Sequence, residues 1–137
     1  MFTKNNLSLF FIVLTLFFTG ISGCQKAPMN GKLDGMWEIK EIYYGDEEII
    51  PSERIFYNFY MHVCSLSYYG GPLTDGNMSY NGEEILLDFP YMKDEKGMET
   101  LKNYGIYSNP VIFQVEFPKD ERMILRDGDI TIFLRKF

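Results

Sequence analysis

From residue 33 onward, apolar and polar positions fall into short runs, most with a period of two, divided by turn-forming pairs. The breaks are Tyr44-Gly45-Asp46, Gly70-Gly71-Pro72, Asp75-Gly76, Asn81-Gly82 and Asp127-Gly128. Residues 33–43 set Trp37, Ile39, Glu41 and Tyr43 on one parity and Met36, Glu38, Lys40 and Ile42 on the other. The second set is the wetter, so Trp37 and Ile39 are expected to point inward. Residues 54–67 have room for two strands, with aromatics on both faces, either buried twice or lining a cavity. Residues 78–89 predict a hairpin about Asn81-Gly82. In 90–105 the alternation stops; Met98 and Leu101 at i, i+3, followed by Gly105, predict one short helix with a glycine cap. Val111, Phe113, Val115 and Phe117 then alternate with Ile112, Gln114 and Glu116 in a half-buried strand ended by Pro118. The last hairpin, 122–126 and 129–136 about Asp127-Gly128, sets Ile130, Ile132 and Leu134 on one face. Short strands at this spacing predict an all-β sandwich or barrel.

The first 32 residues follow another pattern. Lys4 precedes an uncharged apolar run of twelve residues, 7–18. A bilayer span needs roughly 20 apolar residues, so this run suits a secretory signal better than a permanent anchor. It ends at Ile21-Ser22-Gly23-Cys24, which resembles the bacterial lipobox. The resemblance implies cleavage before Cys24, which becomes the first mature residue and carries a diacylglycerol and an acylated amine. Two or more acyl chains anchor a protein stably, at about 0.8 kcal/mol per buried CH₂. The organisation expected is a signal peptide at 1–23, a polar tether at 24–32 with Pro28 and Asn30-Gly31, and one domain at 33–137. The absence of Asp after Cys24 implies, by resemblance to lipoprotein sorting rules, the outer membrane. The absence of acidic residues in the tether implies its periplasmic face.

Charge narrows the partners. The whole chain has a net charge of −6, and the expected signal peptide contains only Lys4 among its charged residues. The mature chain therefore has twelve basic residues against 19 acidic ones, a net charge of −7. Nucleic acid, which needs basic patches, is not expected as a partner. With Cys24 acylated, Cys64 is left unpaired and is expected to be a small buried hydrophobe. His62 and Cys64 would share a strand face, but zinc needs three or four ligands, so no metal or other cofactor is expected. His62 has no nucleophile elbow to serve. Asp75, Asn77, Ser79 and Asn81 imitate the start of a calcium loop, but Tyr80 and Leu86 stand where its glycine and closing glutamate belong. No two carboxylates are paired by position, so the chain is not read as an enzyme.

A family resemblance then adds to the pattern. Gly35-Met36-Trp37 resembles the Gly-x-Trp that opens the first strand of lipocalins. The lipobox, Leu33-x-Gly35-x-Trp37, LKNYGI at 101–106 and the closing MILRDGDITIFLRKF together resemble lipocalin-like lipoproteins of Bacteroides-type bacteria. The resemblance implies an all-β, antiparallel up-and-down barrel of about eight strands with one short helix. It also implies a basic residue, Arg135 or Lys136, packed over Trp37 as a cation–π contact. Two functions follow as expectations. In the first, a membrane-tethered barrel binds a small apolar ligand, with Tyr57, Tyr60, Tyr68, Tyr69 and Tyr80 lining its interior or rim. In the second, the barrel is filled and docks a protein partner through a flexible aromatic loop at 68–80.

Overall fold

The computed structural model describes residues 29–137. The expected signal peptide, the cleavage motif Ile21, Ser22 and Gly23, and the lipid-bearing Cys24 lie outside the described residues. Nine strands follow in order: β1 (Gly35–Tyr44), β2 (Glu47–Ile49), β3 (Ile55–Tyr60), β4 (Val63–Tyr68), β5 (Gly71–Tyr80), β6 (Glu84–Asp88), β7 (Val111–Lys119), β8 (Arg122–Asp127) and β9 (Ile130–Lys136). β1 pairs antiparallel with both β2 and β3, each strand from β3 to β9 pairs antiparallel with the next, and β9 returns to pair with β1. Closure leaves an eight-stranded up-and-down barrel of β1 and β3–β9, with β2 added against Ile42–Tyr44. One α-helix, α1 (Glu95–Lys102), lies in the connection between β6 and β7. Among the described residues no helix is long and apolar enough to cross a membrane.

Up-and-down order sorts the connections between two ends. The chain enters at one end through Asn30, whose side chain donates to Asp34 (2.7 Å) and to the Met61 carbonyl (3.0 Å). The β3–β4, β5–β6 and β7–β8 turns share this entry end. The opposite end holds the β1–β2–β3, β4–β5 and β8–β9 connections and the helical segment.

The interior is packed with side chains. Trp37, Tyr57, Phe59, Phe89, Phe113, Leu101 and Ile106 are among its fully buried members. The helical segment plugs the far end. Its helix ends in a Schellman arrangement, with Gly105 N–H bonded to Lys102 and Ile106 N–H to Leu101. Gly105 sits at φ +77°, and Leu101 and Ile106 drop into the core. The Tyr57 hydroxyl donates to the Tyr104 carbonyl (2.5 Å), and the Tyr104 hydroxyl donates to the Ser67 carbonyl (2.8 Å). The plug is thus tied to β3 and β4.

Several expectations are corrected here. Trp37 and Ile39 point inward, but so does Ile42, because the register shifts between Ile39 and Glu41. One extra residue reverses the parity of all that follows. Residues 68–80 are not a flexible loop. Only Tyr69 and Gly70 form a turn, and 71–80 is the ten-residue strand β5. Asp75-Gly76 is mid-strand because Phe89 crosses there; a Cβ on Gly76 would sit 2.5 Å from the Phe89 ring. β7 runs past Pro118 to Lys119, with a second register shift between Glu116 and Lys119. His62 lies in the exposed β3–β4 turn, whereas Cys64 is buried in β4, so the two form no common face.

Candidate functional site

The five tyrosines expected at a ligand site are not brought together. Tyr57 belongs to the core, stacked on Phe59 with ring centres 5.8 Å apart. Tyr60 and Tyr68 face solvent from opposite ends of the β3–β4 hairpin, and Tyr69 lies in the β4–β5 turn beneath Arg54. Tyr80 is half-buried near the entry end and donates to the Gly82 carbonyl (3.1 Å). The basic residue over Trp37 is Lys136, whose Nζ lies 4.9 Å from the ring. Its ammonium also bonds the Asp34 carbonyl, and its stem passes so close to Gly35 that a Cβ there would meet it at 2.8 Å. Arg135 points the other way, to the outer wall.

That outer wall carries a groove that sequence reading missed. About 530 Å³ of open space runs over β8 and β9, between β1 and β7. Its floor is Ile124 and Phe133, direct cross-strand partners. Ile124 faces outward and is nonetheless only 8% exposed. Both walls are raised by register shifts. On β1, Lys40 and Glu41 are consecutive and both exposed; on β7, Pro118 and Lys119 are. Bulges of this kind re-aim side chains.

The groove is also charged. Arg122 and Arg135 face each other directly across β8 and β9. Like charges so placed oppose folding. Arg122 reaches only the Glu121 carbonyl (3.4 Å). Among the described residues Lys119, Arg122 and Arg135 form no salt bridge, although the chain has 19 carboxylates. The carboxylates nearby are otherwise engaged. Glu41 accepts from the Tyr43 hydroxyl (3.3 Å), Asp120 lies 3.4 Å from Lys32, and Glu116 lies 3.5 Å from Arg126. Lys40 bonds Glu38 (3.3 Å) on the same wall. The result is an apolar strip with an excess of positive charge at one end, where Glu38, already paired with Arg54 and Lys40, stands opposite Arg135 on β1. It can hold an apolar chain and an anionic group together.

Other chemistry is sparse. The Cys64 thiol is pushed well above its ordinary range by burial, which keeps it in the unreactive protonated form. Among the described residues no group of three His, Cys, Asp or Glu side chains is placed to hold a metal ion. Clefts of about 170 Å³ beside Tyr104 and 180 Å³ beside Trp37 lie at the two barrel ends, outside the packed interior.

Comparison with known proteins agrees with this architecture. The family profile described as Lipocalin-like domain matches residues 16–137. A lipocalin-like protein from Bacteroides uniformis superposes with a TM-score of 0.62 at 27% identity, covering 78% of this chain and 100% of that one. An uncharacterized protein from Bacteroides eggerthii superposes with a TM-score of 0.54 at 18% identity, covering 76% and 98%. No curated protein matches. The fold is of a ligand-binding type, and the chain belongs to the lipocalin-like domain family.

Proposed function

We propose that this is a lipid-anchored binding protein of the cell envelope that holds an amphiphile with an anionic head on the outside of a filled barrel. The observation that supports this reading is the groove over Ile124 and Phe133, with Lys119, Arg122 and Arg135 beside it and in no salt bridge among the described residues. A small apolar ligand in the interior would need space that Tyr57, Phe89, Phe113 and Leu101 occupy. The acyl chain of the ligand lies on the Ile124–Phe133 strip. Its carboxylate or phosphate meets the two guanidinium groups, which bind such anions in a planar, two-pronged manner. Charge at the groove end gives orientation, and burial of the tail gives most of the affinity.

The anchor part of the reading rests on Ile21-Ser22-Gly23-Cys24; the outer membrane and its periplasmic face are proposed from the lack of Asp directly after Cys24 and of acidic residues in the tether. Cys24→Ser is expected to abolish lipid labelling and leave an unprocessed precursor; labelling that persists refutes the anchor. The ligand part is tested on the soluble barrel, residues 29–137. Laurate is expected to produce saturable NMR shifts at the Ile124 methyls and Phe133 ring, and dodecanol to bind about ten-fold more weakly. The double variant Arg122→Gln, Arg135→Gln is expected to lose a similar factor with its fold intact, because both side chains are exposed. Shifts centred on Tyr57 and Phe113 would instead place the ligand inside. Absence of any saturable shift would leave a protein partner as the occupant of the groove.

A further inference from the structure

We propose that the β3–β4 tip, Tyr60, Met61 and Val63, rests in the headgroup layer of the bilayer that anchors the chain. This inference rests on the lipid-anchor reading above and adds an orientation to it. Tyr60 is 69% exposed, and Met29, Met61 and Val63 are exposed beside it. Asn30, where the chain enters the barrel, donates directly to the Met61 carbonyl (3.0 Å), so tip and entry point are one place. From Cys24 to Met29 the chain advances five residues, a reach of at most about 18 Å. A lipid on Cys24 therefore keeps this tip within about 18 Å of the membrane surface.

The tip's own conformation argues the same way. Met61 sits at φ +54°, in a tight turn of two residues between paired strands. Glycine, asparagine or aspartate fits that position best, and an unbranched apolar residue is uncommon there. The chain thus accepts a strained backbone to present an apolar side chain at an exposed tip. The other turns of the entry end are polar and acidic: Asn81-Gly82-Glu83 between β5 and β6, and Asp120-Glu121 between β7 and β8. Three strands lie between β3 and β7 either way round the eight-stranded barrel, so the acidic β7–β8 turn lies across the barrel from the apolar tip. The entry end is therefore suited to dip on one side only. Tyrosine with an apolar ring and a polar tip is favoured at the level of the headgroups. That tilt leaves the groove over β8 and β9 facing away from the lipid and open to the periplasm.

The test uses the full lipid-modified chain reconstituted in vesicles of phosphatidylethanolamine and phosphatidylglycerol with brominated acyl chains. Trp37 is buried at 1% exposure and gives a constant background. Tyr60→Trp is compared with Tyr91→Trp, at a position 81% exposed on the far end. The bromines are expected to quench the Tyr60→Trp emission about two-fold with a blue shift, and to leave Tyr91→Trp unchanged. Adding Met61→Asp to Tyr60→Trp is expected to remove the quenching while easing the turn. Lipidated protein in which Tyr60→Trp is quenched no more than Tyr91→Trp overturns the inference and leaves the anchor standing. Protein whose mass lacks the diacylglyceryl group on Cys24 overturns both.

Discussion

Glu38 shows how much one outward side chain can hold. It lies on the parity that sequence assigns to the wet face, yet it is only 7% exposed. Arg54 covers it, donating from Nε at 2.5 Å, and Lys40 approaches from the other side. The same guanidinium lies over Phe56, Tyr69 and Phe137 at 5.5–5.8 Å. Phe137 in turn packs edge-on to Phe56, which explains the second aromatic face of β3: it is buried by the C-terminal residue. The hydrogen bond from Arg54 holds the Glu38 carboxyl below the ordinary glutamate value, against the opposing effect of burial. A depressed value in the fold means stability that is present above the unfolded value, about 4.3, and lost as pH falls through the lower folded one. Glu38→Gln is therefore expected to flatten that part of the pH dependence. The measurement is the denaturant midpoint, followed from about pH 6 to pH 3 in both proteins. Equal slopes in the two would show that Arg54 does not stabilise the anion.

Elements with a clean period of two were legible; elements with an added residue were not. The inward faces of β9, and of β7 ahead of its register shift, follow directly from Ile130, Ile132 and Leu134 and from Val111 and Phe113. In β1 and β7 the extra residue leaves no local mark, because Lys40 and Pro118 suit an exposed position with or without a bulge. β5 misled for a different reason. Its Asp75-Gly76 pair has turn composition, but the glycine serves the close passage of Phe89 from a distant part of the chain. The helix was readable because its signals are local. Asp94 caps it by accepting from the Gly97 N–H at 2.9 Å, and Gly105 closes it. Asp94→Ala is expected to cost about 1 kcal/mol of global stability. The loss should appear as a lower denaturant midpoint with an unchanged slope, since α1 plugs the barrel and unfolds with it. A variant with normal global stability but fast amide exchange confined to 95–106 would mean that the plug opens independently.

Over the whole molecule, the groove was the feature most hidden, since its residues come from four strands and span positions 40 to 135. One part of it was accessible. Counting outward from the β8–β9 turn pairs Arg122 with Arg135, and two opposed arginines in an acidic protein are a signal in themselves. The other hidden feature is the state of the interior, because period two tells which side chains enter a barrel but not whether they fill it. An eight-stranded barrel is close to the size at which it can be either filled or hollow. Here the plug decides. Phe89 is fully buried, its backbone N–H and carbonyl both held by Asn109 (2.9 Å each), and its ring crosses Gly76. Phe89→Ala is expected to cost about 3–5 kcal/mol, since so rigid a surround collapses little around the space left behind. A dry apolar cavity of that kind binds benzene. Benzene should therefore raise the melting temperature of Phe89→Ala and leave that of the parent protein unchanged. An equal rise in both would mean that the parent barrel already has room for a ligand, and the binding site would move from the outer groove to the interior.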